Sequence, residues 1–263
     1  MRSLLYIEWL KIKRYRTFWI LAGLFMLILP LWNYGISNGI LQIGSGDINI
    51  LNKVYSFNYI WENMGFWTSL FVVVLTVLII ILVTNEYQFR TNRQNIIDGW
   101  TRLEFYHAKW GVVVILSLLT TLYVFVTGFL FAISNSSIQE FPGHIEKLFY
   151  TFVLTLNYFS FGLLLSILFK RSGLTIGMLF FYCAFIEFMV KGFLKWRLNT
   201  NIGTYMPLQC SDELLPFPVL DMIKTIAKLN ESAINNTSYV IASFAWIILY
   251  YLIGRRKLMK SDW

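Results

Sequence analysis

The chain has 263 residues, of which 57% are hydrophobic, 18% aromatic and only 14% charged. Soluble domains carry about 25% charged residues, and the mean hydropathy here is +0.60. The composition therefore excludes an ordinary soluble domain and points to an all-α, polytopic membrane protein. The net charge of +8 does not signal nucleic acid, because the basic residues sit beside apolar runs, where they orient spans in a bilayer.

The first segment reads MRSLLYIEWLKIKRYRT. Glu8, Lys11 and Arg14 recur every three residues and share a stripe, while Leu4, Leu5, Ile7, Leu10 and Ile12 cover much of the remaining surface. Two readings fit: an interfacial helix over residues 2–16, or a plain basic flank that orients the first span. The apolar stretch behind it runs to Tyr34 with no small-x-small cleavage pattern after it, so it reads as a retained span.

A helix needs about 20 apolar residues to cross the hydrocarbon core. Six segments meet or approach that length: 18–34, 66–84, 111–133, 148–169, 173–190 and 239–254. They are continuous rather than alternating, which argues for helices against a barrel. Alternate connections carry fifteen Lys and Arg on one side and seven on the other. The excess places both termini in the cytoplasm. The expectation is one transmembrane domain over 1–263, multi-pass in the cell (inner) membrane.

The second and third spans are joined by residues 85–110, NEYQFRTNRQNIIDGWTRLEFYHAKW. Thr91-Asn-Arg-Gln94 fits a capping box, and Gly99 suits the position just past a helix end. Between them a helix of about two turns presents Ile96 and Ile97. Thr101-Arg-Leu-Glu104 fits a second capping box, opening a helix that runs through Phe105, Tyr106 and Trp110 into the third span. An isolated two-turn helix is marginal in water. It is either an amphipathic connector on lipid headgroups or a docking element for a cytoplasmic partner.

This loop resembles the one after the second span in permease subunits of type-2 ATP-binding-cassette (ABC) exporters, which follow E-Y-x-x-G-T-x-R-x-x-x-x-x-G-x-S-R-x-x-x-x-x-K. Glu86, Thr91, Arg93, Gly99, Arg102 and Lys109 match. Phe89–Arg90 replaces the small or Gly residue before Thr91, and Thr101 replaces Ser. The N-terminal pattern and the six-span plan are also similar. The resemblance implies that helix 91–99 is a coupling helix seated in a nucleotide-binding subunit. Ile96 and Ile97 would be its apolar knob. Arg90, Arg93 and Arg102 would pair with acids of the partner. Thr91, Gln94, Gly99 and Glu104 would shape the turns, and Glu86 would bond within the loop or to the N-terminal helix.

No Asp, Glu, Lys, Arg or His lies at the centre of a span; Glu187 is near the outer end of the fifth. That argues against a proton relay or an intramembrane hydrolase. No G-x-x-x-x-G-K-[ST] loop occurs. The two cysteines and two histidines lack metal-ligand spacing, so no catalytic or metal-binding residue is expected. The resemblance then implies a separate ABC ATPase subunit holding ATP and Mg²⁺, a second permease copy or homologous permease, and no cofactor bound by this chain. Asn157, inside the fourth span, fits either the pathway or an interhelical hydrogen bond. Gly173-x-x-x-Gly177 fits either close packing on a neighbour or the residues after a tight turn. The loop 191–238 is interrupted by Pro207, Pro216 and Pro218 and holds a helix with Pro218 at its first position. In the resembled family, re-entrant or extracytoplasmic helices there cap the pathway; a plain surface lobe is the other reading. The alternative function is a membrane scaffold or sensor docking a non-ATPase partner.

Overall fold

The computed structural model describes residues 2–38, 54–136, 141–198, 202–219 and 236–260. Among them there are helices and turns and no strand. α1 is Arg2–Lys13, α2 Arg16–Ser37, α3 Ile60–Gln88, α4 Thr91–Ile97, α5 Arg102–Asn135 and α6 Glu146–Phe169. α7 (Ser172–Phe181) runs through a π-helical turn, Tyr182–Ile186, into α8 (Glu187–Leu198). A 3-10 turn at Ile202–Tyr205, the one-turn α9 (Gln209–Asp212) and α10 (Asn236–Lys260) follow.

Six of these helices are long and apolar enough to cross a membrane: Arg16–Ser37, Ile60–Gln88, Arg102–Asn135, Glu146–Phe169, Ser172–Arg197 and Asn236–Lys260. Their lengths exceed their apolar runs. α5 spans 34 residues, about 51 Å at 1.5 Å per residue, against a hydrocarbon core of about 30 Å. Its first turns therefore stand beyond the apolar run and carry the residues of the loop site.

α6 is the axis of the bundle. Every residue from Val153 to Ile167 is buried, as an all-round apolar helix requires, and α3, α5 and α10 pack around it. At Gly162 a Cβ would meet Thr76 Cγ2 at 2.7 Å, so α3 and α6 approach more closely than a side chain would allow. The buried hydroxyls of Thr68, Thr76, Thr84, Ser117 and Ser166 donate to the carbonyl four residues earlier. That local bond lets polar residues sit in apolar helices without a tertiary partner.

One end of the bundle gathers α1, α4, the start of α5 and the end of α10, where the Arg102 guanidinium donates to the Met259 carbonyl at 2.8 Å. At the opposite end Tyr55 donates to the Asn33 carbonyl at 2.9 Å and Lys147 pairs with Glu62 at 3.1 Å. Segment 202–219 docks there by polar anchors. Asn157 donates to the Pro207 carbonyl at 2.7 Å and to Ser211 at 3.1 Å. The Leu208 amide donates to Glu187 at 2.7 Å, Tyr158 donates to Asp212 at 3.0 Å, and Lys191 pairs with Glu213 at 2.6 Å. Asn157, fully buried, thus fastens this segment to α6. Of the helix expected from Pro218, everything beyond Val219 lies outside the described residues.

Burial pushes the Asp212 carboxyl well above its ordinary range, against the Tyr158 hydrogen bond, and the charge of Glu187 raises it further. A carboxyl with a raised folded value favours the fold at low pH and loses that contribution as pH rises through the folded value. Asp212→Asn keeps an acceptor for Tyr158 and removes the charge. Thermal unfolding followed from pH 4 to pH 8 should show the variant's advantage over the wild type smallest at pH 4 and growing as pH rises above the ordinary aspartate value.

Candidate functional site: a rigidly capped loop helix above a buried ion ring

α3 ends at Gln88 and the chain reverses through Arg90, whose φ of 57° is left-handed. This is the position where the resembled family carries a small residue or Gly, and its conformation explains why. Arg90 is itself the N-cap of α4, with no side-chain cap bond. The capping box expected at Thr91 and Gln94 therefore does not form. Thr91 is already the first helical residue, whereas a capping hydroxyl must come from an extended N-cap.

The far end of α4 follows the sequence closely. Gly99 has φ 100° and its amide donates to the Ile96 carbonyl at 3.0 Å. The Trp100 amide donates to the Asn95 carbonyl, also at 3.0 Å. The two bonds make a complete Schellman motif. Thr101 and Glu104 then form the second capping box: the Glu104 amide donates to Thr101 Oγ1 at 3.2 Å, and the Thr101 amide donates to the Glu104 carboxylate at 2.8 Å. The helix is short but fixed at its exit by four named bonds. Gly99→Ala forces an L-residue to positive φ, at about 1–2 kcal/mol. Amide exchange at Trp100 should accelerate by a factor of about 5–30.

This frame presents Ile97 to solvent at 84% exposure. Ile96 is half-buried, so the apolar knob is mainly one residue. Phe89, Arg90, Arg93 and Gln94 are exposed beside it. Arg102, expected to pair with a partner's acid, donates to the Met259 carbonyl at an exposed position. The cause is electrostatic: the last carbonyls of α10 are orphan acceptors at the negative end of a helix dipole.

Beneath the loop lies a closed ring of charges from three helices. Lys109 on α5 pairs with Glu8 of α1 at 2.5 Å and with Glu86 of α3 at 2.6 Å. Lys11 pairs with the same two carboxylates, at 3.0 Å each. The Lys109 side chain is 5% exposed, Glu8 5%, Glu86 9% and Lys11 32%. Charges alternate around the ring and cancel, which is the condition for burying three of them, Glu8, Glu86 and Lys109. Burial alone would raise the Glu8 carboxyl, but the ammonium groups of Lys109 and Lys11 outweigh it and hold it below the ordinary value. Lys11 also lies over the Trp100 ring at 5.7 Å, joining α1 to the exit of α4. The polar stripe of α1 accordingly faces the protein through Glu8 and Lys11, while Tyr6, Trp9 and Leu10 face out. Arg14 falls past the helix end.

The expected bond from Glu86 to the N-terminal helix is present, through Lys11. Glu8 and Lys109 were not among the expected site residues. The available signal was an acid and a base on one face of a greasy helix, plus two matched loop residues of opposite charge, Glu86 and Lys109. At Gly173 and Gly177 an added Cβ would meet nothing within 4 Å among the described residues. They follow the tight turn at Lys170–Arg171.

The sequence matches the family described as ABC-2 family transporter protein over residues 4–186. No curated protein matches the chain. The matched stretch holds the whole ion ring, α4 and the first four candidate spans. With six helices able to cross a membrane and well over half its length matched, the chain belongs to the ABC-2 transporter family, as the membrane-embedded permease component of an ABC transporter.

Proposed function

We propose that this chain forms the translocation pathway of an ABC exporter and that α4 is its coupling helix, gripped by a separate ATP-hydrolysing subunit. The observation that carries the reading is Ile97, 84% exposed at the tip of a helix held rigid by a Schellman motif and a capping box. A large apolar side chain displayed on a fixed support suits a socket in another protein. The ion ring seats α1 against the bases of α3 and α5, so a push on α4 reaches two spans and α1 as one body. ATP and Mg²⁺ bind on the partner, because this sequence holds no phosphate-binding Gly-rich loop with its Lys.

The bias of fifteen cations against seven sets both termini and the loop in the cytoplasm of the cell membrane. α1 then lies at the inner headgroup layer with Tyr6, Trp9 and Leu10 toward lipid, and segment 202–219 caps the outer side. Six spans are half the complement of an ABC transporter, so a second copy or a homologous permease completes the pathway. Gentle solubilisation of native membranes tests the core of this: the tagged chain should co-purify with a polypeptide bearing G-x-x-x-x-G-K-[ST], in equal numbers of each. A stable assembly lacking any such ATPase would contradict it.

A further inference from the structure

α4 alone makes a poor grip. Seven residues extend about 10 Å, whereas a stable protein interface covers about 800 Å² on each side. Beside α4 the structure has a cleft of about 710 Å³, walled by Arg90, Asn92 and Arg93 on one side and by the turn Lys170–Gly173 on the other. The two walls are some eighty positions apart in the chain and meet only in the fold. Four cations line the cleft and no Asp or Glu does. Arg90, Arg93 and Arg171 are exposed, and Lys170 is held over the Tyr87 ring at 5.5 Å. Lys170 has φ 55°, so the turn is as sharp as the one at Arg90. Below it, Ser172 opens α7, whose first turn contains no acidic residue and whose N-cap, Arg171, makes no side-chain cap bond.

We infer that this basic cleft is the second half of the docking surface and that an acidic element of the ATP-hydrolysing subunit enters it while Ile97 fills an apolar socket. The inference rests on the reading of α4 given above. Charge complementarity selects the occupant: several carboxylates on one rigid element can meet cations on both walls at once. Continuity with α4 places that element on the same subunit. The turn between the fourth and fifth spans would then feel the ATPase directly, so that both ends of α6–α7 and α3–α5 move with one partner. An anionic phospholipid is the competing occupant and is separated by experiment.

A photo-cross-linking amino acid is placed at Ser172 and, separately, at Ile97, in the full chain in native membranes. Adducts are identified by peptide mass spectrometry. Both positions should attach to one polypeptide carrying a G-x-x-x-x-G-K-[ST] loop, with the Ser172 adduct on a peptide containing Asp or Glu. Lys170→Glu with Arg171→Glu should lower the Ser172 adduct about tenfold at low salt and flatten its salt dependence. The neutral pair Lys170→Gln with Arg171→Gln should give a smaller loss. Attachment of Ile97 to the ATPase while Ser172 labels lipid, or nothing, overturns the inference and leaves the coupling reading standing. An Ile97 adduct without any ATPase overturns the coupling reading and this inference with it.

Discussion

Lys109→Met should be the most damaging conservative-volume substitution at the loop end, lowering stability by about 3–5 kcal/mol. It leaves Glu8 and Glu86 buried, at 5% and 9% side-chain exposure, with only the half-exposed Lys11 between them. Pairs broken from one side are costly because the orphaned charge keeps its desolvation penalty. The Glu86 Oε2 atom already has no hydrogen-bond partner, so Oε1 carries all the compensation this carboxylate receives. In detergent the melting temperature should fall by on the order of 10 °C. Adding Glu86→Gln to Lys109→Met removes one of the stranded charges and should recover part of the loss. A double variant no better than the single one would show that the ring contributes packing rather than charge balance. Lys11→Met should cost far less, since its side chain is 32% exposed and water screens the pair. The pH dependence follows from Glu8. Its depressed folded value means the ring contributes fully above the ordinary glutamate range and weakens as pH falls through the folded value.

Ile97→Asp should cut retention of the ATP-hydrolysing subunit tenfold to a hundredfold while leaving insertion and thermal stability of this chain unchanged. The side chain is 84% exposed, so the free chain loses almost nothing. Filling an apolar socket with it contributes about 1.5–3 kcal/mol, each 1.4 kcal/mol is tenfold in affinity, and a carboxylate in that socket adds a desolvation cost. Equilibrium pull-down with the purified ATPase reads the loss, and transport should fall with it. Ile96→Asp is the contrast, because its half-buried position should cost stability of the loop as well as binding.

The spans were legible because membrane length leaves a long uncharged signature that no local context can hide: each of the six apolar runs lies inside a helix of at least 22 residues. Gly99, Thr101 and Glu104 were legible because caps are written in adjacent residues. The start of α4 was not. A capping box at Thr91 was the simplest pattern in TNRQ, but Arg90 takes a left-handed conformation that non-glycine residues seldom adopt. The ion ring and the basic cleft escaped for a different reason. Glu8 and Lys109 are 101 positions apart, and only tertiary packing says that they meet. Asn157 likewise shows as one polar letter in an apolar run, while its bond to the Pro207 carbonyl depends on where a loop fifty residues later returns.

Amide hydrogen exchange across residues 91–100, with and without the purified ATP-hydrolysing subunit, goes straight to the question of what holds α4. Strong added protection confined to this stretch and its flanks in the assembled complex is the expected result. A complex that forms and hydrolyses ATP while exchange at 91–100 stays as it is in the free chain would contradict the coupling role.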